Sequence, residues 1–226
     1  MILRRIRRWA RGYNRDKRYS PIGVAFHWIV AGLVVFQLWW GWRAGRLPVG
    51  PDKLDAYQVH SAVGLVILVL MLLRTAWRTM MAPGPINDAD KPGWQSAVAH
   101  ITHYAFYAAL ILLPLSGWAM VSATASEQPL KFGGVLPWPL LPFQELSMHA
   151  RWAIELWAEW LHFILVSILV LAIPAHVGAA LWHHFHHRHD VLEGMLPGVT
   201  ELEEDVRKAL SHKPTRRRSR RASAHG

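Results

Sequence analysis

Four long stretches without a charged side chain set the first constraint on this sequence. They run from Ile22 to Trp42, from near Tyr57 to Leu73, from Ala97 to Val121 and from Trp160 to Phe185. An α-helix rises about 1.5 Å per residue, so roughly 20 apolar residues, within a range of about 17–25, carry it across the hydrocarbon core of a bilayer. All four stretches qualify, the second only just. The pattern predicts an all-α, integral membrane four-helix bundle spanning 22–187, preceded by a basic tail over 1–21 and followed by a second basic tail over 188–226.

Tryptophan placement agrees with this. Trp39, Trp40 and Trp42 close the first stretch and Trp77 follows the second, while Trp94 precedes the third and Trp152, Trp157, Trp160 and Trp182 bracket the fourth. Indole rings collect where one edge meets lipid and the other meets water. A cleavable leader fits the first stretch poorly, because its apolar run is long and ends in bulky Trp rather than small residues.

The net charge of +10 on a chain that is 52% hydrophobic becomes coherent once the charges are placed. Of the 25 Lys and Arg, 20 fall in the two tails and the connection between the second and third stretches. Basic residues concentrate on the cytoplasmic side of membrane proteins, so both termini are expected there. The charge is thus mainly a topology signal, and nucleic-acid binding is not expected. The absence of Cys excludes thiolate metal sites, disulfides and covalent haem attachment. The outer connection from Ser122 to Arg151 is apolar and broken by Pro137, Pro139 and Pro142. Proline removes a donor and clashes with the preceding turn, so this loop is expected to lie over the helix ends rather than form one helix.

Ionisable groups at membrane depth are costly and functional by default. The spans carry no Asp, Glu, Lys or Arg at depth, but they do carry histidines, whose neutral imidazole is an iron ligand. His27 lies near the inner end of the first span and His60 near the outer end of the second. His162 and His176 lie near the outer and inner ends of the fourth. The last two are 14 residues apart, a rise of about 21 Å and a net rotation of roughly 40°, so one face presents both. A lone histidine in a span is commonly a packing or interfacial residue. Four at matched depths instead suggest two bis-histidine sites, His60 with His162 and His27 with His176, each able to hold one haem b through its iron. Gly23, Gly32, Gly64 and Gly178 would leave room, although helix packing alone also enriches glycine. Pro174 is expected to kink the fourth span near His176.

The segments RYSPIGVAFHW, YQVHSAVGLVILVLMLLRTAWR, AHITHYAFYAALILLPLSGW and AHVGAALWHHF resemble, in order and spacing, the four helices of the bacterial cytochrome b561 family. The resemblance covers roughly Arg18 to Pro197, and its specific parts are the His-x-x-x-Gly at His60 and the fourth-helix pattern. It implies two non-covalent haem b groups on His27, His60, His162 and His176. It also implies single-electron exchange between the periplasmic side and membrane ubiquinone, and, as one activity within the family, oxidation of superoxide with reduction of ubiquinone. A periplasmic or membrane electron donor would then be a partner, beside lipid. Two departures stand out: Phe163 follows His162 where the family commonly places Glu, with Glu159 one turn earlier, and the basic tail after Pro197 has no clear counterpart in compact members.

Further residues at the inner end are candidates for a quinone or haem-propionate contact. His103 opens the third span and His183 lies seven residues beyond His176, while Arg74 and Arg78 present guanidinium forks suited to carboxylates. Interfacial anchoring would place the same residues there. The tract HHFHHRH from His183 to His189 offers His183/His187 and His186/His189 as spacings for a weak zinc site, although solvation at the interface accounts for it as well. Three other functions stay open at this point: a cytochrome b anchor subunit serving a partner dehydrogenase or hydrogenase, a His-rich metal transporter with no haem, and a structural adaptor whose basic tails bind anionic lipid or nucleic acid.

Overall fold

A computed structural model describes residues 1–15, 19–81, 93–124, 131–132, 136–137 and 140–187, together with Leu192 and Met195. Among the described residues there are five helices: α1 (Ile2–Arg15), α2 (Pro21–Arg46), α3 (Pro51–Ala76), α4 (Gly93–Ala123) and α5 (Met148–His187). A short π-helical turn, Trp77–Met81, continues α3. Four of these helices are long and apolar enough to cross a membrane, as the hydropathy predicts.

The helices outrun the apolar stretches. Helix α3 starts at Pro51 and α5 at Met148, because Asp52, Lys53, Asp55, Arg151, Glu155 and Glu159 interrupt the hydropathy without interrupting the helix. Hydropathy marks the hydrocarbon, whereas backbone hydrogen bonding continues into the interface. Pro51 sits at the first turn of α3, where the missing N–H costs nothing. Helices α4 and α5 run on through Pro114 and Pro174.

Close packing joins consecutive helices, α2 to α3, α3 to α4 and α4 to α5. The core is thin, centred on Val30, Val34, Ile67, Met71, Ala109, Leu165 and Leu169. Much of the rest is apolar surface: Leu171 is 76% exposed, Trp157 74% and Phe163 62%. Bare hydrocarbon at this extent marks a lipid-facing surface.

Side chains fix the register between α2 and α3. Ser20 caps α2 by accepting from Gly23 N, and the same Oγ accepts from Trp77 Nε1 at 3.1 Å, tying the start of α2 to the end of α3. Near the other end Trp40 Nε1 donates to Ala56 O at 2.9 Å and Gln37 Nε2 to His60 O at 2.6 Å. The 122–151 connection is indeed not one helix. A two-residue antiparallel pair, β1 (Lys131–Phe132) with β2 (Leu136–Pro137), pairs Lys131 with Pro137 and Phe132 with Leu136. Leu141 N donates to Ser122 Oγ, and Arg151 donates twice to Ala123 O, at 3.1 and 3.0 Å. This connection therefore closes over the end of α4. The N-terminal tail is helical over Ile2–Arg15. Of the tail after α5, Leu192 and Met195 alone are described, and Met195 O accepts from Trp28 Nε1.

Candidate functional site

Each membrane helix carries two marked residues 14 apart: His27 and Gly41 on α2, His60 and Arg74 on α3, His103 and Gly117 on α4, His162 and His176 on α5. At about 1.5 Å per residue this sets two levels roughly 21 Å apart. The helices alternate in direction, so the eight residues divide into one group of two histidines and two glycines and another of three histidines and an arginine.

At the first level His60 and His162 oppose each other, with ring centres 6.2 Å apart and planes inclined at 62°. The glycines make this approach possible. A Cβ on Gly41 would lie 2.7 Å from His60 Cε1, a distance at which something must move. A Cβ on Gly117 would lie 3.6 Å from His162 Cε1, an ordinary contact, so Gly41 is the stricter requirement. Gln37, one turn before Gly41, packs its amide over Gly64 while bonding His60 O. Thus the pairs Gln37/Gly41 and His60/Gly64 interlock, each spaced i, i+4 along one helix face.

Hydrogen-bond bookkeeping sets the form of His162. Ser116 Oγ donates to Leu113 O at 2.7 Å and lies 3.0 Å from His162 Nδ1. A hydroxyl has one proton. With that proton on Leu113 O, the His162 contact requires Nδ1–H to donate to Ser116, which leaves the lone pair of Nε2 free. A hydrogen bond from the other ring nitrogen in this way orients a metal-ligating imidazole. The buried atoms His60 Nδ1 and Gln37 Oε1 have no hydrogen-bond partner in the described structure. Phe163 and Glu159, which follow and precede His162, are both exposed.

The second level is assembled differently. His103 and His176 have ring centres 5.9 Å apart, and Phe106 lies 5.3 Å from His176. His27 is close enough to both histidines to interact electrostatically. Arg74 reaches into this group from α3, with Nη2 3.2 Å from His27 Nδ1 and its guanidinium 5.4 Å from the Tyr107 ring centre. Guanidinium only donates. His27 Nδ1 is therefore the acceptor here, and a neutral His27 carries its proton on Nε2.

A small open cavity adjoins this group, lined by Arg78, His100, His103, Tyr104 and Tyr107. His183 lies two turns beyond His176 and is not among its lining residues. Of the proposed zinc spacings, His189 and the side chain of His187 lie outside the described residues. Among those described, no three His, Asp or Glu side chains converge closely enough to hold a bare metal ion.

The structure opposes His60 and His162 and sets His103, rather than His27, ring to ring with His176. It adds Gly41, Gln37, Ser116 and Tyr107, which hydropathy and depth did not single out. Gln37 had a signal, as the amide in an otherwise apolar first span. Ser116 and Gly41 had none until neighbouring helices were known.

The fold and its interior define a multi-pass membrane protein whose spans present histidine at two depths. Residues 18–198 match the family described as prokaryotic cytochrome b561. The chain is similar to "Cytochrome b561 homolog 2" of Escherichia coli (strain K12), 28% identical over 81% of this chain and 93% of that protein. It is likewise similar to "Probable superoxide oxidase CybB" of Yersinia pestis, 28% identical over 80% and 97% respectively. To "Cytochrome b562" of Cereibacter sphaeroides it is 24% identical over 76% and 90%. This chain belongs to the prokaryotic cytochrome b561 family. It is a bacterial multi-pass membrane protein of electron transfer, and membership implies haem b as its prosthetic group. The first level fits such a group: two opposed imidazoles, one with Nε2 free, a glycine notch at Gly41 and two buried polar atoms without partners.

Proposed function

We propose that the chain holds two haem b groups, one between His60 and His162 and the other between His27 and His176, and conducts electrons between the periplasmic surface and membrane ubiquinone. The observation that carries this is the opposition of His60 and His162 at 6.2 Å. With metal–nitrogen bonds of about 2 Å on each side, that spacing suits one metal atom between two imidazoles. Haem b, when bound, supplies a one-electron couple at low dielectric. The chain's residues provide ligands, orientation and exclusion of water.

In this scheme both termini and the His27 level are cytoplasmic, following the basic residues. Arg74, Arg78, His103 and, further along α5, His183 are the groups available to a propionate or to a quinone head group. For His27 to ligate through Nε2, its proton must move to Nδ1, so Arg74 must turn to another acceptor. A carboxylate would meet its bidentate fork. The relation to a probable superoxide oxidase supports superoxide as donor. Two superoxide anions would each lose one electron and leave as dioxygen, while ubiquinone gains two electrons and two protons to become ubiquinol.

Purified chain should show a low-spin haem b difference spectrum and, by pyridine haemochromogen, two haems per chain. One haem per chain would sink one of the pairs, and no haem would sink both. Superoxide-driven ubiquinone reduction by the isolated chain tests the donor. Activity that requires a co-purifying dehydrogenase would make the chain an anchor subunit instead.

A further inference from the structure

Helix α1 has two faces of opposite character. At 100° per residue, Ile2, Leu3, Ile6, Trp9, Ala10 and Tyr13 fall on one side, and Arg4, Arg5, Arg7, Arg8 and Arg11 fall on the other. The helix contains no acidic residue. It rests against the π-helical turn at the end of α3, where Ala10 is fully buried and Arg11 Nε donates to Met81 O at 3.3 Å. That contact covers only one edge of the apolar face. Ile2 remains 73% exposed and Leu3 66%, and Trp9 stands beside them, packed edge-on to Tyr13. The π-helical turn and the capped start of α2 both lie at the end of membrane spans, so α1 is held at the level of the bilayer surface.

We propose that α1 lies in the plane of the membrane surface and binds anionic phospholipid, with Ile2, Leu3 and Trp9 entering the acyl boundary and the arginines meeting headgroup phosphates. An amphipathic helix with a purely cationic polar face has this preference, since buried apolar area and attraction to negative lipid act together. Charge complementarity separates lipid from a second copy of the chain, whose α1 would present the same repelling arginines. The exposed Ile2, Leu3 and Trp9 separate it from nucleic acid, which would leave them in water.

The chain has no cysteine, so a single introduced thiol is labelled uniquely. Ile2→Cys places a nitroxide on the apolar face and Arg8→Cys on the basic face of the full haem-loaded chain, with unchanged haem content as the control for folding. In vesicles containing phosphatidylglycerol, the label at 2 should be accessible to oxygen and shielded from a water-soluble nickel chelate, with the label at 8 showing the reverse. In phosphatidylcholine alone, or with Arg4, Arg5 and Arg8 all changed to Glu, the contrast at 2 should fall several-fold. Equal chelate access at 2 in both lipids would overturn the proposal. Shielding from both reagents would assign the face to a protein contact, and protection at 8 on adding an RNA oligonucleotide, with no lipid dependence at 2, would assign it to nucleic acid.

Discussion

The two levels of the bundle use the same 14-residue interval and fill it differently. At the His60–His162 level the companion positions on α2 and α4 are glycines, and the second nitrogen of His162 is committed to Ser116. At the His27–His176 level the companion positions are His103 and Arg74, and the second nitrogen of His27 is committed to a cation that can only donate. On the proposed ligand assignment, one level is set in advance for Nε2 ligation, while the other must exchange a hydrogen bond first. The contrast implies that the first site is governed by shape and tautomer and the second by charge.

The strongest way to break this contrast is to remove a proposed ligand. His162→Ala should take haem content from two per chain to one and leave the spectrum of the other site intact; loss of both or of neither would refute the separation of levels. Gly41→Val should come close to it, because a Cβ already falls 2.7 Å from His60 Cε1. Overpacking of this kind costs about 1–3 kcal/mol, and loss of half the haem with the spans still folded is the expected result. Gly117→Ala, whose Cβ would meet His162 Cε1 at an ordinary contact of 3.6 Å, should keep both haems.

Ser116→Ala should weaken haem at the first level by about 10–100-fold, the usual cost of losing the hydrogen bond that orients a ligating imidazole, with Thr at the same position restoring it. Titration of the apo-chain with haemin reads this directly. Arg74→Gln should leave that level untouched and lower the midpoint potential of the second by tens of millivolts, since a nearby cation favours the reduced state. An unchanged potential there would show that Arg74 acts on packing alone. The smallest effect is expected from Gln37→Leu, which loses the bond to His60 O but also removes the unpartnered Oε1. Its stability should stay within about 1 kcal/mol of the parent in thermal unfolding.

The spans and the depth of each histidine were legible in sequence because they depend on local quantities: the length of an apolar run and the angle between residues on one helix. Gly41, Ser116 and the Arg74–His27 contact were not legible, because each depends on which helices are neighbours and in what register. Trp40, Gln37 and Trp77 set that register through bonds between α2 and α3 that no periodicity announces. Helix α1 was hidden for another reason. Its arginines were read for the side of the membrane they mark, and the apolar residues between them were passed over. The fourth-helix Glu missing at Phe163 also has a plain counterpart in the structure, since that side chain points outward.

The shared interval bears on how such a chain can change over time. Substitutions along α2 to α5 can be absorbed one at a time, but an inserted or deleted residue between His162 and His176 would turn one histidine about 100° away from the other. The same penalty applies between His60 and Arg74, His27 and Gly41, and His103 and Gly117. These four segments act as rulers, so a change of length is expected to be tolerated in the tails and connections and not within them.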